Sequence, residues 1–162
     1  HGTAISDGLA ARIVAVDASV VPTVSIGFAI ARQGRELGFS DFVMEKVAVV
    51  NERSLDAIVR LKQAGVRLGL GTDLVGGLDR FQYEELQIRR EVWSAADVLR
   101  SATSVNAEIV RRPDIGRIEP GLIADIIVVN GNPLEDMKVF SGDGDNVQLV
   151  VKGGEIVKDT LA

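Results

Sequence analysis

A helix that ends on glycine and runs directly into a short strand is the feature that most narrows what this chain can fold into. Glu52 to Ala64 carries apolar side chains at Leu55, Ile58, Val59 and Leu61, the spacing of a single helical face. Gly65 follows where a left-handed C-terminal cap is expected. Val66-Arg-Leu-Gly-Leu-Gly-Thr-Asp73 then alternates apolar with small or polar residues, as a strand does. Helix, glycine and strand in immediate succession make one αβ step, which places the chain in the α/β class.

The flanking segments extend that reading. Upstream, Ile5, Leu9, Ile13 and Val16 predict a helix over Thr3 to Val16, with Ser6 and Asp7 near its start to cap free N–H groups. Ala18 to Thr23 is β-branched and is interrupted by Pro22, so a short strand is expected there. Residues 24–50 contain Gly27, Gly34 and Gly38 and only weak periodicity, which predicts a long loop with short helices. After a glycine-containing loop, Leu74 to Phe81, helices are expected over 82–92, 94–103 and 105–111, with Ser94 and Asp97 forming a capping box. Within this region Glu84 and Glu85 read as a solvated helix face.

Pro113 closes the helical region, and beyond it the texture changes to turns and short strands at 124–129, 147–152 and 155–158. The last two are joined by Gly153-Gly154, the signature of a tight hairpin. Asp143 and Asp145 read as turn residues. The change of texture predicts two domains, 1–112 and 113–162.

Composition removes several functions. With 46% hydrophobic residues the chain can bury a core and is not a disordered segment. A net charge of −5 does not attract phosphate backbones, so no nucleic-acid partner is expected. Absence of cysteine excludes a disulfide framework, a thiolate nucleophile and a zinc finger. The apolar runs at 20–30, 66–70 and 123–129 are shorter than the ~20 residues of a membrane-spanning helix, and no membrane association is expected. His1 to Asp7 does not read as a signal peptide, any signal sequence would lie upstream of His1, and the cytoplasm is an expectation that the absence of cysteine fits.

Few residues can carry chemistry. The single histidine, His1, rules out a Ser-His-Asp arrangement within the chain body. The glycine-dense stretch from Gly69 fails both nucleotide motifs: a dinucleotide fingerprint needs Gly at position 74 and finds Leu74, and a Walker A loop needs Lys after Gly76 and finds Gly77. Asp73 remains, an acid at the carboxyl end of a predicted buried strand, where an α/β barrel builds its active site. Two readings stay open for it, a turn-fixing residue or a site carboxylate. His1 is likewise either a solvated chain end or a ligand.

Several stretches, taken in order, resemble the C-terminal part of the amidohydrolase superfamily. They are His1-Gly-Thr, Val21-Pro-Thr23, Gly65 to Asp73, Leu99-Arg-Ser-Ala-Thr103, Asn106-Ala107, and Gly116-Arg-Ile-Glu-Pro-Gly-Leu-Ile-Ala-Asp125 continuing through Asn132-Pro-Leu to Asp136. The resemblance is nearest to the imidazolonepropionase-like and prolidase-like (Xaa-Pro dipeptidase) members and extends over nearly the whole chain. It implies a (β/α)8 barrel of which this chain holds about strands six to eight, together with part of a small β-sandwich. It further implies that His1 is the metal-ligand histidine ending strand six, and that Asp73 is the aspartate ending strand eight, both a metal ligand and the catalytic proton carrier. Thr23 would lie at the mouth of strand seven, with no role assigned. The loop 74–81 and the segment 24–50 would border the substrate.

The implied cofactor is a divalent metal, zinc foremost, as one ion or two. The implied reaction is hydrolysis of an amide or peptide C–N bond, in a dipeptide, an Xaa-Pro-like or an N-acyl substrate, by metal-activated water. The family's other metal ligands, a His-x-His pair on strand one, a carboxylated Lys on strand four and a His on strand five, have no counterpart here. One His and one Asp fall short of the three or more ligands that hold a catalytic zinc. These 162 residues alone are therefore expected to bind metal poorly and to be inactive. Their expected partners are a small-molecule or dipeptide substrate, the rest of the barrel and, in a homo-oligomer, further copies of the protein. Alternatives are an inactive relative or binding module, a deaminase, or a phosphotriesterase.

Overall fold

In the computed structural model, which describes residues 1–142 and 144–161, the first helix begins where its cap dictates. Ser6 accepts the Leu9 N–H on its side-chain oxygen, and α1 runs from there as Asp7–Ala15. The chain then forms β1 (Ser19–Val20), which lies parallel to β2 (Arg67–Leu68), Ser19 opposite Arg67 and Val20 opposite Leu68. Gly69 N–H extends the pairing by donating to the Val20 carbonyl.

Residues 24–50 are more helical than the expected long loop with short helices. They form α2 (Val24–Gln33) and the first part of α3 (Asp41–Gln63), a helix of 23 residues of which the predicted Glu52 to Ala64 is only the second half. A glycine inside a helix lowers its propensity by about 1 kcal/mol, so Gly27 hid α2 from the pattern. The reason for Gly27 is tertiary: the Asn51 side chain of α3 occupies the space where a Cβ at position 27 would stand. α3 ends as predicted. Gly65 has φ +82°, its N–H donates to Lys62 O, and Val66 N–H donates to Leu61 O, the two bonds of a Schellman motif.

A 3₁₀ helix, Gly76–Phe81, and α4 (Glu84–Arg90) complete the unit His1–Val92. Its core is drawn from Ala29 of α2, Ile58 and Leu61 of α3, Leu68 of β2, Leu78 and Ile88, all nearly inaccessible to solvent. Each large aliphatic side chain among them contributes roughly 1.5–3 kcal/mol by leaving water.

The second unit, Trp93–Ala162, opens with α5 (Ala95–Ala102), where Ser94 accepts the Asp97 N–H as the capping box predicts. It continues through α6 (Ser104–Ile109) to an antiparallel sheet of β3 (Ile126–Val129), β4 (Val147–Lys152) and β5 (Glu155–Asp159), with β4 central. Both turn glycines between β4 and β5 have positive φ, 60° at Gly153 and 87° at Gly154, which is the geometry a two-residue hairpin needs. Trp93, Val98, Met137, Phe140 and Val147 are buried. Asp145 lies in the turn before β4, and Asp143 falls outside the described residues. Among the described residues no helix is long and apolar enough to cross a membrane.

Candidate active site

The carboxyl ends of the two parallel strands lead into Pro22-Thr23 and Thr72-Asp73, and His1 lies beside both. His1 Nδ1 is 2.5 Å from Thr23 Oγ1, and His1 Nε2 is 3.7 Å from Asp73 Oδ2. The two sequence-predicted site residues are thus brought together from opposite ends of the first unit. Both remain reachable from solvent, with side-chain exposures of 61% for His1 and 51% for Asp73. Asp73 also has φ +55°, in the left-handed region that non-glycine residues seldom enter and that clusters at functional sites.

Two side chains to which the sequence assigns no part in a site hold this corner. Glu85, expected on a solvated helix face with Glu84, is fully buried, as is Arg89 one turn later. Arg89 Nε donates to Glu85 Oε1 at 2.7 Å, Nη1 donates to Gly69 O at 2.8 Å and Nη2 donates to Pro22 O at 2.6 Å. The guanidinium therefore ties together the ends of β1 and β2. Burial pushes its pKa down, opposed by the charge and hydrogen bond of Glu85. The second Glu85 oxygen accepts the Ser25 N–H at 2.7 Å, capping α2 from another element. Glu84, by contrast, is partly exposed and pairs with Arg32. The pattern did contain a signal: Glu85, Ile88 and Arg89 share one face of α4, and all three are buried.

Close approach keeps the two strand ends in register. A Cβ at Gly71 would stand 2.8 Å from Val21 Cγ1 and 3.4 Å from the Thr23 methyl. Next to His1 and Asp73 is a pocket of about 190 Å³, lined by Val24, Ile26 and Gly27 of α2 and by Val50, Asn51 and Ser54 of α3. Among the described residues, His1 and Asp73 are the only ionisable side chains that line it. Residues from 24–50 line this pocket, from helices, while none from 74–81 does.

As metal donors the pair fits in part. Two donors about 2.1 Å from one tetrahedral ion stand about 3.4 Å apart, close to the His1–Asp73 separation, and imidazole with carboxylate is a donor set that suits zinc. Among the described residues, however, no group of three or more His, Cys, Asp or Glu side chains is placed to hold a metal.

Comparison with known proteins places the chain in a family. The model of the Amidohydrolase family matches residues 10–157. Ochratoxinase of Aspergillus niger is 31% identical over 116 residues, which are 70% of this chain and 24% of that protein. The crystal structure of a prolidase complexed with N-methylphosphonate-L-proline superposes with a TM-score of 0.94 at 39% identity, over 98% of this chain and 39% of the other. A Xaa-Pro dipeptidase with methionine bound in its active site gives a TM-score of 0.84 at 30% identity, again over 98% of this chain and 39% of the other. The chain thus spans about a quarter of the length of this curated relative and about two fifths of these solved chains. By the extent of the family match and the likeness of its α/β structure to prolidase-like members, this chain belongs to the amidohydrolase family.

Proposed function

We propose that this chain is the C-terminal part of a metal-dependent amidohydrolase that cleaves a C–N bond in a small amide or peptide, a dipeptide of the Xaa-Pro kind in particular. The observation that carries the reading is the meeting of His1 Nε2 and Asp73 Oδ2 at 3.7 Å, at the carboxyl ends of two parallel strands. That is the end at which α/β barrels place their chemistry. The likeness to prolidase-like neighbours supports the choice of substrate class.

In this reading residues 1–112 are the part of a (β/α)8 barrel around strands six to eight, and 113–162 belong to a small β-sandwich. A parallel sheet of two strands, each of two residues, supports it, because parallel sheets are covered on both faces and seldom stand so small. Further metal ligands come from the rest of the barrel, which is the first partner of this chain, and the whole is a cytoplasmic homo-oligomer.

When bound, a divalent cation, zinc foremost and as one ion or two, lowers the pKa of a water toward neutrality and polarises the substrate carbonyl. His1 and Asp73 would hold it. Asp73 takes a proton from the attacking water and delivers it to the departing nitrogen, which leaves poorly unless protonated. The adjoining pocket, apolar along Val24, Ile26 and Val50 and without further charge among the described residues, receives an uncharged part of the substrate.

The test is hydrolysis of a panel of Xaa-Pro dipeptides by the full-length protein that contains these residues. Activity should vanish with a chelator and fall about 10²–10⁴-fold in Asp73→Asn. Full activity in that variant contradicts the reading. Inactivity on peptides with turnover of a heterocyclic amine or a phosphotriester moves the reaction to another class.

A further inference from the structure

We infer that Thr23 is a positioning residue for His1, and that the buried Glu85–Arg89 pair is what leaves its hydroxyl available for that role; the inference rests on the reading of His1 as a metal ligand. Thr23 sits at the N-cap of α2, where a threonine hydroxyl ordinarily accepts an N–H of the first helical turn, yet it makes no such bond. The Ser25 N–H of that turn goes to Glu85 Oε2 instead. The Thr23 hydroxyl lies 2.5 Å from His1 Nδ1. With Nδ1–H donating to Thr23 Oγ1, the lone pair of His1 rests on Nε2, the nitrogen that faces Asp73.

The rest of the side chain is held as firmly. Thr23 is only 9% exposed, and its methyl lies beside Gly71, 3.4 Å from where a Cβ there would stand. A β-branched side chain fixed on its methyl side has one direction left for its hydroxyl. Through the Pro22 and Gly69 carbonyls, Arg89 anchors the strand ends from which Thr23 and Asp73 project. Ligating histidines need such a partner on the far ring nitrogen, and losing it typically weakens metal affinity 10–100-fold.

The experiment measures zinc affinity by chelator competition in the full-length protein carrying Thr23→Val, Thr23→Ala, Thr23→Ser or His1→Asn, with the unfolding midpoint of each metal-free form alongside. Val and Ala should each weaken zinc binding about 10–100-fold, while Ser, which keeps the hydroxyl, stays within about threefold of the parent. Metal-free midpoints should not separate Val from Ser in the way that affinity does. Parental affinity in Val and Ala overturns the role of Thr23, as does an equal loss in Ser and Val. If His1→Asn leaves affinity unchanged, the metal-site reading fails and this inference with it. If His1→Asn lowers affinity and Thr23→Val does not, the inference about Thr23 alone is overturned.

Discussion

Glu85 accepts the backbone N–H of Ser25 at 2.7 Å across a separation of 60 residues, so the amino end of one helix is capped by a buried carboxylate from another. The same carboxylate neutralises Arg89, which holds the Pro22 and Gly69 carbonyls. Removing one member of a buried pair strands the other charge, at a cost of about 3–5 kcal/mol. Glu85→Ala in the full-length protein should lose that much in urea unfolding. Glu85→Gln should lose less, because an amide oxygen can still accept from Ser25. Equal, small losses in both would show that the pair carries little.

Gly71 answers to space. An added methyl would stand 2.8 Å from Val21 Cγ1 and press toward the Thr23 methyl. Gly71→Ala should destabilise the protein by about 1–3 kcal/mol, the usual cost of overpacking. Thermal unfolding checks it, and an unchanged midpoint would mean that the two strand ends yield easily.

Ser94 caps α5 by accepting the Asp97 N–H at 3.1 Å. Ser94→Ala should cost about 1 kcal/mol, and Ser94→Thr markedly less, by denaturant unfolding.

Asp114 is held below the usual carboxylate range, first by its hydrogen bond from Arg112. A depressed folded-state value means that its contribution is present above the unfolded-state pKa and is lost as pH falls through the folded value. Because the pair is exposed, the stability effect should be slight. Carboxylate NMR should show Asp114 titrating at higher pH in Arg112→Gln than in the parent.

What the sequence revealed follows from where the information is local. Ser6, Ser94, Gly65 and Gly153-Gly154 act on their own neighbours within a few residues, and each does in the structure what its position predicts. The extent of helix in 24–50 is not visible in the pattern because Gly27 is chosen by Asn51 and not by the helix it sits in. Glu85 reads with Glu84 as a solvated helix face because nothing near it in sequence says that Ser25 is its partner, or that Arg89 beside it reaches the Pro22 and Gly69 carbonyls. His1 and Asp73 are singled out by the family resemblance, and the structure brings them to 3.7 Å, whereas Thr23 has a partner only once the strand ends are placed.

The most direct test of the account is to locate the metal in a crystal of the full-length protein by anomalous scattering at the zinc edge. The account predicts an ion about 2.0–2.2 Å from both His1 Nε2 and an Asp73 carboxylate oxygen. An ion held by other residues, with His1 and Asp73 beyond ligating distance, would contradict it.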